Sequence, residues 1–217
     1  MTVDAPARTS GRAARTREAL LSAGLRLFAD RPVDAVAIDE IVALAGVAKG
    51  SFFNHFADKQ SFASIIGTHI RIEIERRVDA ANAGQRDPVR RLVGGMTVAA
   101  EFALSEHDKT RAMLGSMIHL APSSHPLNDG LRADIMACAD AGVLRPEAEE
   151  GGVLFWLATC HMMMVALSET PPDRNKAART LRLMVTMGLI GLGIDEVTAR
   201  GHAQAAAARL TGTQPGG

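Results

Sequence analysis

The sequence predicts an all-helical protein. Tyrosine is absent and tryptophan occurs once among 217 residues, whereas alanine, leucine and arginine, which favour helices over strands, are abundant. Proline and glycine recur between stretches whose apolar residues are three or four positions apart, the spacing of one helix face. With 47% hydrophobic residues, the chain can bury a sizeable core. We expect about nine to ten helices, divided between a small N-terminal domain and a larger C-terminal one.

The N-terminal end carries a local positive charge, although the chain as a whole is neutral. Lysine plus arginine and aspartate plus glutamate both number 24. Between Arg8 and Arg26, five arginines accompany a single acid, Glu18. Residues 1–11 show no apolar periodicity, which predicts a disordered basic arm. Such an arm is either a solvated tail or a contact for an anionic partner, and the charge pattern leaves both open.

Residues 12–70 are predicted to form a domain whose last helix continues into the rest of the chain. The first helix ends before Pro32, which cannot continue it. Gly46 separates two short helices, because glycine adopts the left-handed backbone of a sharp turn without strain. Asp58 is a good N-cap for the long fourth helix. The four helices are expected over residues 12–30, 38–45, 48–55 and 58–81.

Residues 71–210 are predicted to form a second helical domain, followed by a loose tail over 211–217. Its helices are expected over residues 89–105, 108–120, 127–141, 146–169, 173–193 and 195–209, with prolines and glycines between them. The stretch from Gly151 to Leu167 is apolar nearly all round, but it is slightly short for a membrane span and contains His161. We interpret it as a helix buried on two sides, one of them facing a partner subunit.

The two short helices have the pattern of a helix-turn-helix. In the run AIDEIVALAGVAKGSFFNHFADKQSF, from Ala37 to Phe62, apolar residues mark one face of each helix. Helices this short are not stable alone, so these faces must pack against each other and against the first helix. A helix-turn-helix, here at about 37–56, places its second helix in the major groove of DNA. The motif therefore predicts binding to double-stranded DNA.

The outward residues of the second short helix suit contacts with DNA. Lys49 can neutralise a phosphate or donate to guanine, Asn54 can form two hydrogen bonds with adenine, and Gly50 lets the backbone approach closely. Lys59, together with free N–H groups at the start of the next helix, can hold a phosphate. For any one of these residues, a solvated polar face is a competing interpretation. The predicted DNA-binding residues are Arg12, Arg15, Lys49, Gly50, Ser51, Phe53, Asn54, His55 and Lys59.

The segment AIDEIVALAGVAKGSFFNHFADK resembles the helix-turn-helix of the TetR family of bacterial regulators. AGV, KG, the aromatic pair, HF and the closing lysine all fall at the spacing of the family's motif. The resemblance covers about Arg12 to Gly67, and the rest is similar only in length, helix count and the pattern AGVLRPEA before a long apolar helix. It implies a cytoplasmic regulator of transcription, more often a repressor than an activator, that a small ligand releases from a palindromic operator.

Four residues depart from the pattern of the family. Ala37 and Ala48 replace the threonine and serine N-caps, and each lost cap costs about 0.5–2 kcal/mol. Val42 replaces a close-packing alanine. Phe53 replaces a tyrosine and has no hydroxyl to donate to a phosphate. We expect weaker DNA binding, or binding that depends more on the arginines of the N-terminal arm.

The resemblance also implies a ligand pocket and a homodimer in the second domain. The dimer helices would be 146–169 and 173–193, with Gly188 and Gly191 permitting close approach of the backbones. The apolar stripe expected at this contact is Leu181, Met184, Val185, Gly188, Leu189 and Leu192. Methionine suits an adaptable apolar pocket, but methionines and lone histidines on apolar helix faces are more often ordinary core. The pocket residues expected for a mostly apolar ligand are Met96, Phe102, Met113, Met117, His119, Met136, Phe155, Trp156 and His161.

The sequence indicates no catalytic site, metal site or cofactor. GxSxG, HExxH, Walker and GxGxxG motifs are absent. Cys138 and Cys160 lack the spacing of zinc ligands, so we expect buried, inert thiols. The first residues have no apolar core of a signal peptide, which agrees with a cytoplasmic protein. The alternatives are a protein of this fold that has lost DNA binding and acts through a protein partner, and, less favoured, an unrecognised helical enzyme or a metal sensor.

Overall fold

The structure is a computed structural model that describes residues 6–116, 124–169 and 173–212. Within these ranges all regular secondary structure is helical, which confirms the predicted fold class. Short 3-10 turns at Val33–Ala35 and Pro126–Asn128 lie between the longer elements. The α-helices are α1 (Pro6–Asp30), α2 (Ile38–Ala45), α3 (Lys49–Phe53), α4 (Lys59–Ala81), α5 (Pro88–Ser105), α6 (His107–Ser116), α7 (Asp129–Asp140), α8 (Glu147–Ser168), α9 (Arg174–Leu192) and α10 (Glu196–Thr211).

The first helix begins at Pro6, six residues before the predicted start at Arg12. The prediction of a disordered arm is therefore wrong for residues 6–11, and residues 1–5 lie outside the described range. Proline is tolerated in the first turn of a helix because its missing N–H has no partner there. Alanine and arginine are strong helix formers, and Gly11 alone is too weak a breaker to stop the helix.

Two other helices differ from the prediction at their ends. The short α3 ends at Phe53 and not at His55, but the N–H groups of Asn54 and Phe56 donate to the carbonyls of Gly50 and Phe52 and continue the turn. The helix expected over 108–120 is described as far as Ser116, and its remaining residues lie outside the described ranges. The predicted tail lies outside them from residue 213 onward.

The chain divides into two compact units. The N-terminal unit comprises residues 1–70 and 108–119, and the C-terminal unit comprises residues 71–107 and 120–217. The inclusion of α6 in the N-terminal unit is a tertiary feature that the sequence did not predict. It involves a close approach, because a Cβ atom at Gly67 on α4 would lie 2.5 Å from the Ser116 hydroxyl on α6.

An aromatic cluster lies at the centre of the N-terminal unit. Phe62 of α4 contacts three other rings, with centroid distances of 4.6 Å to Phe56, 5.1 Å to Phe52 and 5.9 Å to Phe28. All four rings are buried, and the angles between the planes of Phe62 and its neighbours are those of edge-to-face pairs. The cluster therefore joins α1, α3 and α4 at one point.

In the C-terminal unit, long apolar residues of four helices form the core. Their largest fully buried members are Leu92, Met96, Phe102, Ile135, Met163, Leu181, Leu189 and Leu192. One buried polar contact joins α5 to α7, where Arg91 Nε donates to the carboxylate of Asp134. Burial raises the pKa of Asp134 and the Arg91 guanidinium opposes that shift. Arg91 thus keeps a carboxylate in a position that otherwise disfavours charge.

The apolar helix α8 is only partly covered. By length and composition it is the one described helix that could cross a membrane, and 33% of its most apolar 18-residue window is buried. Trp156 and Met163 are buried, whereas Leu154 and Met162 are 58% and 55% exposed. The described residues therefore bury one side of α8 and leave an apolar side open.

Gly24 on α1 is required by the aromatic cluster. A Cβ atom there would overlap the ring of Phe62 and lie 2.9 Å from Ile66 Cδ1. We predict that Gly24→Ala lowers the free energy of unfolding by about 1–3 kcal/mol, because neither buried side chain has room to move. Gly11→Ala, on the same helix with nothing within 4 Å of its Cβ position, is expected to raise it by up to about 1 kcal/mol. Urea denaturation followed by circular dichroism distinguishes the two, and equal effects would contradict the packing argument.

Candidate DNA-binding surface

The turn between α2 and α3 has the geometry of a helix-turn-helix. Gly46 ends α2 in the left-handed conformation, with φ 66° and ψ 35°. The N–H of Val47 donates to the carbonyl of Val42 at 3.0 Å, so the chain closes back on the last turn of α2 before α3 starts. Phe52 is then buried beneath α3, and Ile41 and Val42 are buried beneath α2. Each short helix thus packs its apolar face inward, as predicted.

Neither short helix has a side-chain N-cap. Ala37 and Ala48 have the extended backbone of a cap residue but no side-chain acceptor, as the sequence predicts. At α2 the Glu40 carboxylate accepts the Ala37 N–H at 3.0 Å. A hydrogen bond from Arg31 lowers the pKa of Glu40, and the Ala37 N–H adds to that shift. The reverse half of a capping box therefore remains, fastened to the end of α1 by Arg31.

Successive residues of α3 point to opposite sides. Phe52 and Phe56 are buried in the aromatic cluster, and Ser51 and His55 lie half-buried at its edge. The opposite side is exposed, and its residues are Lys49, Gly50, Phe53 and Asn54. A Cβ atom at Gly50 would meet nothing within 4 Å, so no internal packing requires a glycine there. The predicted DNA-binding residues of this segment therefore form one exposed face, flanked by a hydroxyl and an imidazole.

Lys49 forms an ion pair within the helix-turn-helix. Its ammonium lies 2.8 Å from Asp39 Oδ1 on α2, and both side chains are more than half exposed. An exposed pair of this kind contributes little to stability, so it can open when a phosphate or base approaches. The sequence did not predict Asp39 as a partner, because ten positions separate the two residues along the chain.

Lys59 does not lie where the sequence prediction placed it. Its ammonium donates to the backbone carbonyls of Asp34 at 3.1 Å and of Val36 at 2.8 Å, in the segment between α1 and α2. Two of its three N–H groups are thus used inside the N-terminal unit and do not lie free for a phosphate. The predicted cap of α4 is present, because Asp58 Oδ1 accepts the Ser61 N–H at 2.7 Å. That bond and one from the Ser61 hydroxyl lower the pKa of Asp58.

The arginines of α1 fall into two groups. Arg12 and Arg15 are exposed. Arg17 is half-buried, with its guanidinium carbon 5.5 Å from the centroid of the Phe56 ring. Arg17 therefore covers the aromatic cluster by a cation–π contact, whereas Arg12 and Arg15 have no such packing role.

The residues predicted to line one ligand pocket are dispersed. Met113 belongs to the N-terminal unit, and Met117 and His119 lie outside the described residues. In the C-terminal unit, Met136 is 59% exposed and Phe155 is 41% exposed, so neither lines an enclosed cavity of a single chain. The predicted set is corrected accordingly. Its members inside the C-terminal unit are the buried Met96, Phe102 and Trp156 and the half-buried His161, whose pKa is lowered by burial.

A polar contact in the C-terminal unit was missed by the sequence analysis. Arg71 Nε donates to Glu75 at 2.6 Å, and its Nη2 donates to the buried Asn128 at 2.9 Å. The spacing of Arg71 and Glu75 by four positions was the one available signal. Burial raises the pKa of the Cys138 thiol to about 12 and that of Cys160 to about 11, which agrees with the predicted inert thiols. Among the described residues, no group of three or more histidine, cysteine, aspartate or glutamate side chains could hold a metal ion.

The geometry defines a class of protein before any comparison is made. A short helix is held by its aromatic underside and presents an amine, an amide and a bare backbone position outward from a helix-turn-helix. This is the arrangement of helix-turn-helix DNA-binding proteins.

Comparisons with known proteins identify the family. The sequence model for "Bacterial regulatory proteins, tetR family" matches residues 20–64. The HTH-type transcriptional repressor BepR of Brucella suis biovar 1 is 36% identical over 104 residues, which are 47% of this chain and 50% of BepR. The chain thus matches half the length of this relative. The chain belongs to the TetR family.

Two solved structures show how far the fold similarity extends. CprB, a TetR family protein from S. coelicolor A3(2), has a TM-score of 0.66 at 22% identity, covering 92% of this chain and 98% of that one. RolR in complex with resorcinol has a TM-score of 0.58 at 21% identity, covering 89% of this chain and 95% of that one. The similarity of fold therefore extends over both units, far beyond the matched motif.

The different partners of Lys59 and Lys49 predict different effects of substitution. Lys59→Met is expected to lower the free energy of unfolding by about 1–3 kcal/mol, because two carbonyls are left without a charged donor. Lys49→Met, which removes an exposed ion pair, is expected to change it by less than about 1 kcal/mol. Urea denaturation at one protein concentration measures both. A Lys59→Met protein as stable as the Lys49→Met protein would show that the Lys59 ammonium is not needed by the fold.

Proposed function

We propose that the chain is a transcriptional repressor that binds a palindromic operator as a homodimer and is released by a small, mostly apolar ligand. The exposed face of α3, with Lys49, Gly50, Phe53 and Asn54, is the observation that carries this proposal. Membership of the TetR family supports it, and so does the similarity to BepR, a repressor. The bound DNA places the protein in the cytoplasm.

The residues of this face divide the work of DNA recognition. Asn54 pairs with adenine through two hydrogen bonds, and Lys49 exchanges its partner Asp39 for a guanine or a phosphate. Gly50 brings the backbone close to the groove wall, while Ser51 and His55 donate from the edge of the helix. Arg12 and Arg15 contribute phosphate contacts from α1, and Lys59 has one N–H left for a phosphate after its two internal bonds.

Exposed apolar residues on α8 and α9 support a homodimer. On α8 they are Leu154, Phe155 and Met162, and on α9 they are Leu183 and Met187. The stripe expected from the sequence at this contact is corrected, because Leu181, Val185, Leu189 and Leu192 are buried inside the single chain. Gly188 and Gly191 likewise accommodate the rings of Trp156 and Phe155 of the same chain. A two-fold contact through the exposed stripe would place two α3 helices on half-sites about 34 Å apart.

The ligand acts through the C-terminal unit. Met96, Phe102 and Trp156 provide apolar surface there, and His161 and Arg71 provide polar groups. RolR, which has a similar fold, binds resorcinol, a small aromatic molecule with polar ends. A ligand that binds more tightly to the form of the dimer that cannot span two half-sites shifts the population away from DNA.

The proposed function is tested by selection of DNA from random sequence and a salt titration of the selected site. We predict a palindrome, and a log-log salt slope that flattens by about one unit for each phosphate that Lys49→Ala no longer neutralises. Asp39→Asn frees Lys49 and is expected to strengthen binding. Arg200→Ala, an exposed cation of α10, is the matched control and should change neither quantity. Failure to enrich any sequence would reject the proposed function.

The homodimer is tested by placing a charge on the exposed stripe. Met187→Glu, at a position 67% exposed in the single chain, is expected to dissociate the dimer, because it buries a carboxylate in an apolar contact. Val197→Glu on α10, at a position 82% exposed, is the control and should leave the dimer intact. Sedimentation equilibrium over a range of concentrations measures both. A Met187→Glu protein that remains dimeric would place the contact elsewhere.

A further inference from the structure

Phe53 is an exposed aromatic residue on a helix face that is otherwise polar. Its side chain is 53% exposed, although phenylalanine is usually among the most buried residues. Lys49 precedes it by one helical turn, and Gly50 and Asn54 lie beside it on the same face. The proposed DNA contacts use hydrogen bonds and charge, so they do not account for an apolar ring at this position.

The ring of Phe53 is held from below. It meets the buried ring of Phe52 edge-to-face, with a centroid distance of 5.4 Å and an interplanar angle of 79°. Phe52 is itself fixed by Phe56 and Phe62 in the aromatic cluster. Because that space is filled, Phe53 cannot turn inward, and it stays exposed until a partner covers it.

We propose that Phe53 is a specificity-determining residue that selects thymine through its 5-methyl group. This inference rests on the proposed binding of DNA. In the major groove, the methyl group of thymine is the apolar feature that distinguishes it from the other bases, and phenylalanine is among the side chains that contact it. A phenyl ring cannot donate a hydrogen bond to a phosphate or a base edge, so its contribution is apolar contact.

The neighbours of Phe53 favour a base in DNA over a protein partner. The absence of a side chain at Gly50, three residues earlier, leaves space beside the ring for a groove wall. Lys49 and Asn54 on either side are suited to phosphate and base edges. A single ring between an ammonium and an amide offers far less apolar surface than the several hundred square ångströms of a protein-binding patch.

The test uses operator duplexes in which deoxyuridine replaces thymidine. This replacement removes only the methyl group and leaves the Watson–Crick edge intact. Starting from the selected palindrome, each thymine of the half-site is replaced in turn at both symmetric positions. We expect one position at which wild-type affinity falls by about fourfold per half-site, or about fifteenfold for the dimer, the value of one buried methyl group.

A Phe53→Ala variant separates direct contact from an effect of DNA shape. Removal of thymine methyl groups can also change groove width and stiffness, and such an effect would persist in the variant. We expect Phe53→Ala to bind the thymine and deoxyuridine duplexes equally at the sensitive position, and Phe53→Leu to keep part of the preference. Leu44→Ala removes another exposed apolar side chain, on α2, and should keep the full preference. Melting curves of all variants check that the fold is retained.

The outcomes distinguish this inference from the proposed function. If a palindrome is selected but no deoxyuridine position weakens wild-type binding by more than about twofold, the methyl contact is rejected while DNA binding stands. An equal reduction of affinity in wild type and Phe53→Ala rejects it as well. If no DNA is selected and Phe53→Ala instead abolishes capture of a protein partner, both the proposed function and this inference fail.

Discussion

The packing of four phenylalanine rings around Phe62 determines where the DNA-facing helix lies. The helix α3 has only five residues, too few to be stable by itself, and neither α2 nor α3 has a side-chain N-cap. Its position therefore depends on Phe52 and Phe56, which fill the space between α1 and α4. Gly24 belongs to the same constraint, because only a residue without a side chain lets α1 approach Phe62 so closely. The outward residues of α3 are presented by this core and not by the stability of the helix.

The polar contacts of the N-terminal unit offset what the helix ends lack. Glu40 accepts the N–H of Ala37 and pairs with Arg31, which ties the start of α2 to the end of α1. Lys59 crosses from α4 to the carbonyls of Asp34 and Val36, just before α2. A lysine that closes the family's motif thus has an internal role in this chain beside any contact with a phosphate. Because both contacts hold the segment between α1 and α2, they limit how far α2 can move relative to the aromatic cluster.

In the C-terminal unit, the distinction between core and interface is a matter of helix faces. On α9, Leu181 and Val185 are buried, whereas Leu183 and Met187, each two positions further on, are exposed. On α8, Trp156 is buried beside the exposed Phe155 and Leu154. Composition alone treats these residues as equivalent, and both helices are apolar on more than one side. The inward side forms the core of one chain, and the outward side is the part that a second chain is proposed to cover.

The sequence by itself determined the helical class, most helix boundaries, the missing caps at Ala37 and Ala48 and the outward face of α3. These depend on interactions among residues a few positions apart, such as the left-handed Gly46 and the Asp58 cap, which a sequence displays directly. Only the tertiary structure decided that Lys59 binds carbonyls more than twenty positions away, that Met136 is exposed and that the stripe containing Leu181 is internal. The reason is physical: periodicity shows which residues share a helix face, but which partner covers that face depends on how distant helices pack.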